Sequence, residues 1–322
     1  GWCIVIFTTL GMIASIPGQT MGVGVYTDFL IQNSHLTRMQ ISMAYMTGTI
    51  LSSLLLPLAG RYYDLVGGRI MIVFAGIGMG ISLLLFAESL TIIHLVHSLL
   101  PNISILTSEI LVITVVFLLL RQFGQGIMAM VSRNTLAKWF ERRRGMVSGI
   151  SGIFVAFSFS GAPLFMNIII EDYGYSGSMI LMAIIFGFGM AFIGWLFFRD
   201  KPEDCGLLMD GDKITSLDTT NLFSEPEITL KVALRTYNFW IFCLGLCSAA
   251  LIVTGFTFHI SSIGALAGLS RMEAYGLFLP MSVISVISHF FAGWASDRMP
   301  LKYLLMILLA GLAVGSLGIL NL

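Results

Sequence analysis

The sequence predicts an all-α polytopic membrane protein, and three observations carry that prediction. Of 322 residues, 57% are hydrophobic and 11% are charged, against about 25% charged in a typical soluble domain. Mean hydropathy is +0.93. Apolar stretches long enough to cross a bilayer recur along the whole chain. A soluble chain of this size cannot bury so much apolar surface in one core. The composition therefore excludes an ordinary soluble enzyme, a disordered chain and a nucleic-acid binder, and leaves helices in lipid.

Nine stretches can each span about 30 Å of hydrocarbon at about 1.5 Å per residue. They run over residues 2–29, 38–59, 69–89, 108–131, 145–170, 176–198, 236–261, 272–294 and 301–322. The first has no basic flank and no small-residue cleavage site, so it reads as a crossing and not as a leader. It starts without Met, and the natural N-terminus is expected upstream.

Lys and Arg orient the spans. Fourteen of them, including Arg61, Arg69, Arg133, Lys138, Arg142 to Arg144, Arg199, Lys201, Arg298 and Lys302, fall after even-numbered spans. Only Arg38 and Arg271 fall on the other side, and Arg121 lies inside a span. The even connections and the N-terminus are expected in the cytoplasm, in a cell-membrane protein. Total charge says nothing here, because 17 bases balance 17 acids. Four cysteines show neither disulfide nor zinc spacing.

Two connections are long. Residues 90–107 hold His94, His97 and Pro101 and read as a surface segment. Residues 199–235 are the most polar part of the chain and read as a flexible cytoplasmic linker. The expected division is a six-helix bundle over 1–198, the linker over 199–235, and three further helices over 236–322.

A repeat marks the two membrane parts. Gly60, Asp64 and Arg69 follow the second span, and Gly293, Asp297 and Lys302 follow the eighth at the same relative positions. Internal repeats of this kind build many secondary transporters. Gly at a helix end permits close helix approach. Asp near a helix N-terminus is favoured by the dipole and can pair with the bases. The six residues read as a gating latch, or more simply as two charged turns on the basic side.

On these paired turns the chain resembles the major facilitator superfamily. The resemblance implies a twelve-helix fold of two six-helix halves, of which this chain carries six plus three and so looks like a fragment. Pro17-Gly18-Gln19-Thr20, Arg121-Gln122-Phe123-Gly124-Gln125-Gly126, Ser132-Arg133-Asn134, Trp139-Phe140 and the Arg199-to-Gly206 segment are similar to the monocarboxylate and oxalate–formate antiporter-like branch. Gln125-Gly126 stands one residue later than in the superfamily's fourth-helix pattern. The resemblance implies a secondary active transporter for a small organic solute of the monocarboxylate type. It also implies a coupled proton or counter-anion, a monomer in the lipid bilayer, and no cofactor. The alternative is a non-transporting sensor or an inactive truncated relative.

Candidate cavity residues follow partly from the residues and partly from the resemblance. An ionised group at bilayer depth is costly unless it meets water, a partner or a substrate. Arg121 lies mid-span after a run of apolar residues, so it either binds backbone carbonyls or faces a cavity. Gln125, one helical turn on, is expected on its face. Pro17 removes a backbone hydrogen bond just before Gln19 and can free a carbonyl. The resemblance turns Gln19, Arg121, Gln125 and Thr254 towards a central cavity. It also puts His289 where relatives hold a carboxylate-binding Arg. A His there changes charge near physiological pH, or is simply a neutral group bonded inside the bundle. No His-Glu-x-x-His or Gly-x-Ser-x-Gly pattern occurs, and neither a metal site nor an enzyme is expected.

Overall fold

The structure, a computed structural model, describes residues 1–211, 230–296 and 298–319. Among them the regular structure is helical, and six helices are long and apolar enough to cross a membrane. These six account for eight of the nine expected spans, because two of them each carry a pair, and the ninth is the first crossing, built from shorter helices. Helix α3 (Arg38–Ala87) breaks at Gly67 (φ 84), and α7 (Arg144–Met182) breaks at Gly174 (φ 70). Only glycine takes such positive φ freely.

The first crossing is itself broken. Helix α1 (Trp2–Ala14) gives way to a tight turn at Ile16–Gly18, and α2 (Thr20–Asn33) resumes after Gln19, whose backbone is extended. Pro17 in the turn supplies no backbone N–H and ends the α pattern. After α4 (Ser89–Leu99), α5 (Ile105–Leu120) runs into a π-helical stretch, Arg121–Met128, and then α6 (Ala129–Trp139). Helix α7 continues through a second π stretch, Ala183–Gly189, into α8 (Met190–Phe197). The short α9 (Leu230–Ala233) precedes α10 (Tyr237–Leu266), α11 (Arg271–Gly276), α12 (Phe278–Ser296) and α13 (Leu301–Ile319).

Aromatic packing joins the first bundle at one end. Tyr26, Phe86 and Tyr175 meet edge to face with ring centroids 5.6 to 6.2 Å apart. The Tyr175 hydroxyl donates to the Phe86 carbonyl at 3.1 Å. Such pairs add about 0.5–1.5 kcal/mol beyond area burial. At the same end, His35 meets the buried Glu109 carboxylate at 2.9 Å. The opposite end is basic. There Lys138 lies 4.2 Å from the centre of the Tyr63 ring, so Asp64 and Arg142 lie at one end, as the charge pattern requires.

Part of the expected linker packs on the first bundle. The segment 199–211 crosses the basic end as a strap. The Asp200 carboxylate accepts the Arg69 N–H at 2.7 Å, capping the second half of α3 just after Gly67. The Trp139 indole donates to the Arg199 carbonyl at 3.1 Å. Leu207 packs against a cluster that includes Ile4, Val5, Trp139 and Phe140. Asp210 accepts backbone N–H groups of Glu141, Arg142 and Arg143 at 3.3, 2.9 and 3.1 Å. Burial works against its charged form, but these three N–H groups and the Arg143 charge outweigh it and hold the carboxyl below its usual range. Charge and turn residues make 199–211 look solvated in sequence; its acids instead satisfy orphan N–H groups near helix starts. Residues 212–229 lie outside the described residues.

The later helices dock on the first bundle. Helix α12 runs along α7, and α10 touches α2 and α13. Phe258 of α10 stacks on Tyr45 with centroids 5.0 Å apart. Leu244, Leu251 and Ile284 point outward and exposed, as lipid-facing positions do.

Candidate functional site

Two places gather the polar groups at membrane depth. The first is the break in the initial crossing. A Cβ on Gly18 would strike the Leu120 carbonyl and come within 2.9 Å of Gly124 Cα, so the two backbones are in direct contact. The break frees the Gly18 carbonyl, and the Arg121 guanidinium donates to it at 3.4 Å. Arg121 is 8% exposed, and its Cζ lies 5.2 Å from the centre of the Tyr45 ring. The Tyr45 hydroxyl is 2.9 Å from Thr20 Oγ1. Gln19 donates to Ser15 Oγ at 3.0 Å. Arg121 is thus occupied by a carbonyl and an aromatic face, and it does not line the cavity described next.

The stripe expected of Arg121 and Gln125 does not form. In a π-helix the bonds run i to i+5, so residues four apart no longer stack. Gln125 is exposed while Arg121 is buried. It is Gln122, unremarked in the sequence, that is buried here, accepting from Ser52 Oγ at 2.9 Å. Thr254 is half-buried on α10, and its carbonyl accepts from the Thr257 hydroxyl at 3.2 Å.

The second place is a cavity of about 600 Å³ between α1, α6, α7 and α12. Of the five expected cavity residues, His289 alone lines it, and Arg133 joins it from α6. His289 Nδ1 lies 2.7 Å from the Ser285 carbonyl. A carbonyl only accepts, so Nδ1 carries the proton and Nε2 is left bare in the neutral ring. The ring lies across Gly152 of α7, where an added Cβ would sit 3.2 Å from His289 Cδ2. Ser132 lines the same cavity; its hydroxyl is buried and has no hydrogen-bond partner among the described residues. Thr9 and Ser151 bond hydroxyl to hydroxyl at 2.8 Å beside it.

Among the described residues, the expected gating residues do not meet one another as a latch. A Cβ on Gly60 or Gly293 would meet nothing within 4 Å, so neither glycine serves a close helix contact among the described residues. Their helix faces are open here, and close approach needs a partner helix. Asp64 is exposed. The Arg69 side chain is spent on the Trp195 carbonyl, at 2.9 and 2.6 Å. Lys302 lies 5.1 Å from the Tyr303 ring centre. Asp297 lies outside the described residues.

A broken first crossing packed on a fourth, with a polar cavity shared by early and late helices, is transporter-like architecture. Compared with family models, residues 5–321 match the Major Facilitator Superfamily. The chain belongs to that superfamily. No curated protein sequence matches it. As a superfamily member it is a multi-pass membrane protein of a transporter family whose partners are the bilayer and a small-molecule solute. Sequence reasoning met Ser132 and Arg133 only as part of the branch likeness, gave neither a place at a cavity, and missed Tyr45. Arg133 reads in sequence as one more base of the positive flank, and only the fold sets it, still exposed, on the wall of the cavity.

Proposed function

We infer that the protein is a secondary active transporter. It moves a small organic solute of the monocarboxylate type by alternating access, with a coupled proton or counter-anion. In this reading it works as a monomer in the cell membrane with the basic end and the N-terminus cytoplasmic. The observation that carries the reading is the cavity of about 600 Å³, which holds His289 and is walled by helices of both groups. That volume suits a small metabolite. The likeness to the monocarboxylate and oxalate–formate branch at residues 17–20, 121–126 and 199–206 supports the solute class. Gln19 and Arg121 brace the broken crossing, and neither Gln125 nor Thr254 lines this cavity.

A neutral His289 offers a solute no charge, whereas a protonated one does. Affinity for a carboxylate therefore falls as pH rises. A dicarboxylate leaves a second charge unpaired in a desolvated cavity, at a cost of several kcal/mol. The test is a thermal-shift screen of the purified protein against monocarboxylates, dicarboxylates and neutral metabolites, since a ligand that binds the folded form stabilises it. Monocarboxylates should shift the melting point most, and more in acid. If neutral metabolites stabilise the protein and carboxylates do not, the solute class is wrong.

A further inference from the structure

The fixed positive charge offered to a solute need not be the deeply placed Arg121, which is already bonded to Gly18 and covered by Tyr45. We propose that Arg133 and His289 form the anion-recognition pair of this cavity, holding one carboxylate between α6 and α12. The proposal rests on the transport reading for its choice of solute and on the cavity for its residues.

Four observations support it. Arg133 and His289 line the same cavity, and among the described residues no other charged or ionisable side chain does. The remaining walls offer Thr8, Ser148, Ser151 and Ser160, which are neutral donors and acceptors. Ser132, next to Arg133, keeps a buried hydroxyl without a partner among the described residues. A buried unpaired hydroxyl is costly, and a bound oxyanion supplies the missing acceptor. Finally, His289 is seated on a neighbouring helix with one ring nitrogen left over for a ligand. Its Nδ1 is committed to the Ser285 carbonyl, its ring rests on the bare backbone of Gly152, and its side chain is exposed. Nε2 is then the free atom, which becomes a donor on protonation.

The division of labour follows from the two cations. Arg133 is charged at every pH and its fork matches a carboxylate. It sets the basal affinity. His289 adds a charge-assisted donor only when protonated and sets the pH dependence. Gly152 is a positioning residue, because an added Cβ already lies 3.2 Å from the ring and the branched side chain of a Val would crowd it further.

The experiment measures binding of propionate, propionamide and succinate to the purified full-length protein between about pH 5.5 and 7.5, with uptake into proteoliposomes read in parallel. Wild-type affinity for propionate should fall about tenfold over that range, while propionamide should show no pH dependence. Arg133→Gln should lower propionate affinity at least about tenfold at every pH. Arg133→Lys should restore part of it. His289→Gln should match wild type at the alkaline end and lose the acid gain. Gly152→Val should do the same with every charge intact. Arg133 is exposed, so its replacement leaves the fold in place; should it not, the pH profiles of His289→Gln and Gly152→Val decide. If the Arg133→Gln and His289→Gln proteins bind and take up propionate with wild-type affinity and pH profile, the pair is wrong and the transport reading stands. If binding needs both residues but uptake never occurs, the pair stands and the transport reading falls.

Discussion

Gly18 and Gly124 meet backbone to backbone: a Cβ built on either would lie 2.9 Å from the other's Cα. The broken first crossing can lie on the π-helical turn only because both positions lack side chains. Gly18→Ala and Gly124→Ala should each destabilise the protein by about 1–3 kcal/mol, as overpacking does. Thermal unfolding in detergent reads this, with Gly161→Ala, which has no atom within 4 Å of its added Cβ, as the neutral control. Equal melting points for all three would show that the contact is slack.

Arg121→Ala should abolish transport and lower the melting point together. The variant leaves the Gly18 carbonyl without its donor, a loss of about 1–3 kcal/mol for a buried group. It also uncovers the Tyr45 face, worth about 0.5–2 kcal/mol. Tyr45→Leu should cost less, since the carbonyl keeps its donor. A normally stable Arg121→Ala protein would mean that the guanidinium acts on solute alone.

Asp210→Ala should free the strap from the α6–α7 turn. Hydrogen exchange at Glu141, Arg142 and Arg143 is the readout, because their N–H groups end on that carboxylate. The pH sign follows from the direction of its shift. The Asp210 carboxyl is held below its usual range, so its contribution is complete above the unfolded carboxylate value of about 3.9. It fades as pH falls through the lower folded value. Exchange in wild type should therefore stay slow down to about pH 4 and rise below it. Unchanged exchange in Asp210→Ala would mean that Leu207 and Trp139 hold the strap unaided.

Asp64→Asn should leave folding unchanged and slow turnover. Asp64 is exposed, and exposed substitutions usually stay within about 0.5 kcal/mol. Its proposed work lies in another conformation of the cycle, where the turn after the second span meets a partner. Asp297→Asn should act in the same direction. Uptake by both variants at the wild-type rate would leave the two turns as plain charged connections.

How much could be read in advance depended on whether a feature was local. The spans were legible because hydropathy over about twenty residues needs no tertiary knowledge. Pro17-Gly18 announced the break, and the charge pattern placed Asp64 and Arg142 at one end. The strap was not legible: acids beside turn residues look solvated until their N–H partners, more than sixty residues away in Glu141 to Arg143, are known. The cavity was half legible. His289 stood out because the resemblance puts it where relatives hold a carboxylate-binding Arg, whereas Arg133 was counted among the bases of its flank. Gln125 was misplaced because a four-residue stack assumes an α-helix through residues that form a π-helix.

That stretch, Arg121–Met128, also carries an evolutionary consequence. A π turn is how a helix absorbs one inserted residue without breaking, and here Gln125-Gly126 stands one place late. A residue inserted in a regular α-helix would swing everything beyond it by about 100°; the π turn takes up the extra residue, so Ser132 and Arg133 keep the faces of an uninterrupted helix. Removing one residue from Arg121–Met128 would restore regular winding and leave Arg133 at the cavity, whereas removing one from the regular helix beside it would turn Arg133 away. Among relatives of this chain, where a length change falls in the fourth crossing is therefore as informative about solute charge as any substitution in the cavity wall.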